Sequence, residues 1–340
     1  MNLMNPASAP TTEATLQPLP SASGQPRRYG DFATFPEALD YAAQGTAGFN
    51  IYSGKGVLLE ALPYRLLREQ AIETAKRLLG MGLQAGDRVA IVAESDGDFA
   101  RIFFGCQYAG LVAAPLPLPV AFGGKDAYLT TLRGMITSAQ ASAVVIPAII
   151  EGWTDDIVSG LGLVFAGSPS ELMARPVPDL ELKPVEPNAL SYLQFSSGST
   201  RFPMGVCVSQ SSGMANVAAI AHDGLQVRET GDRCVSWLPL YHDMGLVGFF
   251  LTPMPCQFTV DFLPTREFAS WPPVWLALHY TLPPLPLFTT VLPSPTTPAR
   301  TRSPYSRPPF KVTPPFPFSE RLCGSRYELA RKIRNCAFSH

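Results

Sequence analysis

The sequence is short of charge. Asp, Glu, Lys and Arg make up 16% of its 340 residues, against about 25% in an ordinary soluble domain. Lys and Arg number 26 and Asp and Glu 27, so the net charge is −1. This balance excludes a globally basic nucleic-acid binder, and no nucleic-acid partner is expected. Cysteine pairs are missing too. Cys106, Cys207, Cys234, Cys256, Cys323 and Cys336 form no C-x-x-C and no zinc-ligand spacing with the four histidines. No metal site is expected, and the thiols read as free and buried in a reducing compartment. The first 28 residues lack the apolar core of a secretory signal, so the location expected is cytoplasmic and residues 1–27 read as a disordered tail. Neither a Walker A loop nor a G-x-S-x-G elbow occurs, which counts against a P-loop nucleotidase and a serine hydrolase.

Two uncharged runs, 102–124 and 268–299, are long enough to cross a bilayer. Gly105, Gly110, Pro115, Pro117 and Pro119 interrupt the first, and Pro273 and Pro283 shorten the second. The first fits a buried helix turning into a buried strand, and no integral membrane segment is expected.

Apolar residues make up 46% of the chain, enough for a sizeable core. In residues 62–82, Tyr64, Leu67, Ala71, Ala75 and Leu78 fall at helical spacing. Residues 87–95 read as a short buried strand, and Phe99, Ile102, Phe103, Cys106 and Ala109 as a helix face. Residues 112–115 read as a strand, Tyr128, Leu132, Met135 and Ile136 as a helix, and 143–147 as a strand. After a proline-spaced loop at 176–187 the alternation resumes. Strands are expected at 190–195, 205–208 and 233–238, with a helix at 212–222. Strands alternating with helices predict an α/β protein with a largely parallel sheet. Proline is uneven: 12 of the 35 lie in 281–320, which hold neither Gly nor Asp. Residues 281–324 read as an extended, low-complexity segment, and 325–340 as a short basic helix-like remnant.

Chemistry concentrates in two stretches. In Ser191–Ser209, a strand runs into Ser196, Ser197, Gly198, Ser199 and Thr200, and a second strand follows. Four hydroxyls around one glycine can wrap a polyanion with backbone N–H groups and side-chain donors. Composition alone favours a plain Ser-rich hairpin turn. In SWLPLYHDMGLVG, His242 sits between Tyr241 and Asp243 where an apolar strand ends. That position suits a pocket wall, although a lone histidine is more often structural.

These residues resemble a known family. LQFSSGSTRFPMGV (193–206) is similar to the phosphate-binding loop of the adenylate-forming enzymes, which include acyl- and aryl-CoA synthetases, luciferases and adenylation domains. SWLPLYHDMGLVGFFLTPM (236–254), GDRVAIVAES (86–95), FFGCQYAGLVAAPLPLP (103–119) and FGGKDAY (122–128) look like the versions found in fatty acyl-AMP ligases. The resemblance runs in order over about residues 28–278. It implies a partial AMP-binding domain at 28–280, with mixed, largely parallel sheets flanked by helices. It further implies activation of a fatty acid by ATP to acyl-AMP, then transfer to an acyl carrier protein thiol, to a polyketide or peptide synthase module, or to CoA in relatives. By family position, Ser196, Ser197, Gly198, Ser199 and Thr200 would cradle the ATP phosphates. His242 would line the boundary of nucleotide and acyl pocket, and Mg²⁺ would bridge phosphates.

The sequence departs from the family pattern in two places. Arg201 and Met204 stand where the wider family has Gly and Lys. The likeness fades after Trp275 and Leu276, and Tyr327, Glu328 and Leu329 match the family's continuation only beyond the proline-rich stretch. An altered reading frame, a retained intron or a true insertion would explain this. The downstream adenine- and metal-side motif, the ribose aspartate and the lid lysine are expected to be missing, which implies impaired activity. The alternative is a non-catalytic fragment that binds an acyl chain or a partner.

Overall fold

The computed structural model describes residues 16–21, 23–119, 124–195, 204–227 and 232–281. All of them belong to the unit spanning Met1–Pro286. The expected segments at 281–324 and 325–340, Thr281 apart, lie outside the described residues.

Two sheets form the frame. The first has the order β2-β1-β10-β9, built from β1 (Gly48–Tyr52), β2 (Leu58–Pro63), β9 (Arg233–Ser236) and β10 (Thr259–Phe262). β1 and β2 are antiparallel, while β10 runs parallel to both β1 and β9. The second has the order β6-β5-β3-β4-β7-β8. Its strands are β3 (Arg88–Val92), β4 (Val112–Leu116), β5 (Ala141–Val145), β6 (Phe165–Gly167), β7 (Leu190–Phe195) and β8 (Gly205–Ser209). All are parallel to their neighbours except β8, which closes an antiparallel hairpin with β7. The expected α/β class with mixed, largely parallel sheets is what the chain adopts.

Residue parity shows how the second sheet is buried. Val89, Ile91, Ala113, Val145 and Tyr192 join the core that also holds Phe49, Val260 and Phe262 of the first sheet. Ala90, Val92, Val112, Ala114, Leu116, Val144, Leu193 and Phe195 join a second core on the opposite face. Alternate residues therefore serve opposite cores, and because both faces are covered the strands read as continuous apolar runs. Helices α2 (Tyr64–Gly80) and α3 (Gly97–Ala109) fill the first core, and α4 (Lys125–Ala139) fills the second through Leu129, Leu132 and Ile136. Over residues 102–119 the first uncharged run is thus the helix-to-strand passage its glycines and prolines implied. Among the described residues no helix is long and apolar enough to cross a membrane.

Helix ends follow local chemistry. Asp96 caps α3 by accepting from Phe99 N at 2.8 Å, and Gly110 ends it in the left-handed conformation with φ 67°. Thr34 caps α1 (Phe35–Ala42), a helix that the periodicity did not mark.

Two expectations are corrected. The tail expected at 1–27 is not unstructured at 16–21, which hold to the first sheet through backbone groups, nor at 23–27, where Ser23 O accepts from Thr46 N at 3.0 Å and Arg27 donates to Cys256 O at 2.5 Å. Leu19 N donates to Asn50 Oδ1 at 3.0 Å, while the carbonyls of Leu19 and Pro20 accept from Arg233 and Thr259 at 2.7 and 2.5 Å. Residues 1–15 lie outside the described residues. Cys106, Cys234 and Cys256 are buried thiols, but Cys207 is exposed because β8 is an edge strand.

Candidate functional site

The first chemical stretch is placed by its flanks. β7 and β8 pair with Phe195 opposite Gly205 and Gln194 opposite Val206, so residues 196–204 join neighbouring antiparallel strands. Ser196, Ser197, Gly198, Ser199 and Thr200 lie outside the described residues, as does Arg201. Met204, where the wider family has Lys, is exposed on the return strand.

The second stretch leaves the first sheet at the end of β9 and passes through the buried Leu240 into a turn at Tyr241, His242 and Asp243. His242 N donates to Pro239 O at 3.2 Å, and Leu246 N donates to His242 O at 2.8 Å. Gly245 is required here, because a Cβ at that position would overlap the Pro239 carbonyl. The turn opens a π-helix, Met244–Leu251, in which Thr252 N reaches back to Val247 O at 3.0 Å. Such widened turns recur at functional sites. Its Phe250 plugs the first core, with ring centroids 5.1 Å from Phe49, 5.3 Å from Phe99 and 5.5 Å from Phe103. The turn is therefore anchored on one side by an aromatic cluster.

On the other side it is anchored by Gln194. This side chain donates from Nε2 to Tyr241 O at 2.8 Å, tying the last turn of the first sheet's chain to the end of β7. Its Oε1 is buried and has no hydrogen-bond partner among the described residues. The structure thus brings His242 to the strand end from which the hydroxyl-rich loop departs. Sequence reasoning passed over Gln194 as part of an apolar strand. The available signal was a polar residue two positions before the loop.

His242 and Asp243 form a half-exposed pair, Nδ1 to Oδ1 at 2.7 Å. Asp243 Oδ1 also accepts from Met244 N at 2.7 Å. The hydrogen bond to Asp243 raises the His242 pKa above its ordinary value, with burial opposing. His242 in turn holds the Asp243 carboxyl below the usual range, again against burial. Each partner thus favours the charged form of the other. Beneath the pair, burial raises the Tyr192 phenol and the Asp243 charge adds to it. Tyr128, the last residue of the 122–128 motif, donates to Pro117 O at 3.0 Å and is raised by burial and then by Tyr241. Residues of three motifs distant in sequence, Tyr128, Gln194 and Tyr241, thus lie near one another.

Among the described residues no group of three His, Cys, Asp or Glu side chains could hold a metal ion. Asp243 is already occupied by His242 and Met244 N. The orphaned Gln194 Oε1 is an acceptor and suits a hydrogen-bond donor, while His242 in its protonated form suits an anion.

Comparison with known proteins bears on the family and the fold. A sequence profile described as AMP-binding enzyme matches residues 51–284. A Caulobacter vibrioides protein proposed to be an acyl-CoA synthetase is 48% identical over 266 residues, 78% of this chain and 46% of its own. A long-chain-fatty-acid–AMP ligase of Mycolicibacterium smegmatis is 32% identical over 204 residues, 57% of this chain and 30% of its own. A solved structure from studies of fatty acyl-adenylate ligases of E. coli and L. pneumophila superposes with a TM-score of 0.72 at 45% identity, covering 75% of this chain and 46% of that one. The chain spans less than half the length of these relatives.

Proposed function

The chain belongs to the AMP-binding enzyme family, and from that membership we propose that it carries part of the site at which ATP activates a fatty acid to acyl-AMP. The observation that carries this reading is the Gln194–Tyr241 hydrogen bond, which holds the His242 turn against the strand leading into Ser196–Thr200. In the proposed reaction a carboxylate oxygen forms a bond to the α-phosphorus of ATP. The bond from that phosphorus to the bridging oxygen breaks, and the electron pair leaves with pyrophosphate. Two anions must approach each other, so groups that orient and neutralise the phosphates are the first requirement. Ser196, Ser197, Gly198, Ser199 and Thr200 would cradle the phosphates. His242, whose charged form Asp243 favours, would sit where nucleotide and acyl chain meet. Mg²⁺, where present, would be held chiefly by phosphate oxygens. The acyl group would then pass to a carrier-protein thiol or a synthase module, and the reaction would run in the cytoplasm.

A second reading is a non-catalytic role in which the chain binds an acyl chain or a partner. The assay that separates the two is pyrophosphate release with laurate, ATP and Mg²⁺, run beside an intact fatty acyl-AMP ligase. Rates within about tenfold of the intact enzyme, roughly 1.4 kcal/mol in barrier, support catalysis by this chain. ATP binding without turnover supports the non-catalytic role. ATP binding that is unchanged in a Ser197→Ala, Thr200→Ala double variant overturns the loop assignment.

A further inference from the structure

We infer that Gln194 is a positioning residue whose side-chain amide sets the geometry of the His242–Asp243 pair through the Tyr241 carbonyl. The inference rests on the proposed function only for its consequence, since the coupling itself is a property of the folded chain.

Three observations carry it. Gln194 Nε2 donates to Tyr241 O at 2.8 Å, across 47 residues of sequence and from β7 of the second sheet to the turn that follows β9 of the first. Tyr241 precedes His242, so the peptide whose oxygen is held is the one that carries the His242 N–H. That N–H donates to Pro239 O at 3.2 Å, and His242 O accepts from Leu246 N at 2.8 Å. The peptide orientation fixed by Gln194 is therefore the one that aims the imidazole at Asp243. Finally, Gln194 Oε1 is buried without a partner among the described residues. A buried acceptor left unsatisfied opposes folding, and an apolar side chain of similar shape would avoid that. An amide retained at this position fits a role in holding the turn better than a role in stability.

The test is a ¹H–¹⁵N titration of the histidine imidazoles in the 340-residue chain, with His242 assigned by His242→Asn. Gln194→Met removes the donor while keeping side-chain length, and the inference expects the His242 titration midpoint to fall by about 0.5 pH units or more. Asp243→Asn removes the pair outright. In that background Gln194→Met should shift His242 no further, because the two changes act through one contact. Thermal stability should stay at or above the parent level, since the orphaned oxygen is gone. A His242 midpoint unmoved by Gln194→Met overturns the inference. So does an equal shift in the Asp243→Asn background, which would show Gln194 acting on His242 by another route. If Gln194→Met does not fold, Gln194→Leu is read in the same way. In either variant, faster amide exchange at Leu246 with β7 amides unchanged supports the inference, and unchanged exchange at Leu246 overturns it. Failure of the chain to form acyl-AMP would sink the proposed function and leave these readouts standing.

Discussion

Gly245 lies directly beneath the Pro239 carbonyl, so close that a methyl group on Gly245 would overlap that oxygen. The clash is with backbone, which cannot swing aside as a side chain would. Gly245→Ala is expected to lower stability by about 1–3 kcal/mol, as overpacking does in a filled core. It should also push apart the turn that carries His242. Thermal unfolding and the His242 titration together check this, and a variant with parent stability and an unshifted His242 would refute it.

Asp96 gives the chain an acid-favouring element. Burial, together with the charges of Asp98 and Glu94, pushes its carboxyl from 3.8 to about 7, against the Phe99 N–H and Arg101. Between those values the unfolded chain has shed a proton that the folded chain keeps. Stability from this group is therefore full below pH 4, falls as pH rises toward 7 and is flat beyond. Asp96→Asn keeps an oxygen for the Phe99 N–H and removes the charge. It should raise stability at pH 8 by about 1–4 kcal/mol and leave it unchanged at pH 4. Urea unfolding at the two pH values measures the difference.

Arg233 and Asp261 form a pair with both side chains almost wholly buried. Arg233 Nη2 donates to Asp261 Oδ1 at 2.6 Å, and Asn50 Nδ2 donates to the same oxygen at 2.8 Å. Asp261→Asn would leave the guanidinium buried without its counter-charge. The expected loss is about 3–5 kcal/mol, read from chemical denaturation. A loss under about 1 kcal/mol would mean that water reaches the pair.

The N-terminal strap serves the same network. Deleting residues 1–21 removes the Leu19 and Pro20 carbonyls that accept from Arg233 and Thr259. Each buried donor left bare costs about 1–3 kcal/mol, so the urea midpoint should drop clearly although none of residues 16–21 is buried in the core.

What could be read from the sequence follows the physics of burial. β3 and β4 were legible because both faces of the second sheet are covered, which leaves unbroken apolar runs. α3 was legible from its apolar face. The β1–β2 hairpin was not, because its edge strand exposes Leu59 and its pattern fits neither period cleanly. β10 hid behind a buried Asp261 that only its partners on β1 and β9 explain. The strap was read as tail because it binds through carbonyls, which composition does not display. At the site, the His242 stretch stood out as a motif. Gln194 did not, since its partner is a backbone oxygen far along the chain.

β1 sits inside the first sheet between β2 and β10, and this order sets a timetable. Asn50 and its partner Asp261 are 211 residues apart. At about 5–20 residues per second of synthesis, roughly 10–40 s separate the emergence of β1 from that of the strand that completes it. Throughout that interval one flank of β1 has its hydrogen-bonding groups open, as an aggregation-prone edge does. The strap's acceptors wait as long for Arg233 and Thr259. The first sheet is thus obliged to close late, so a nascent chain stalled before residue 233 would hold the β1–β2 hairpin without its neighbours.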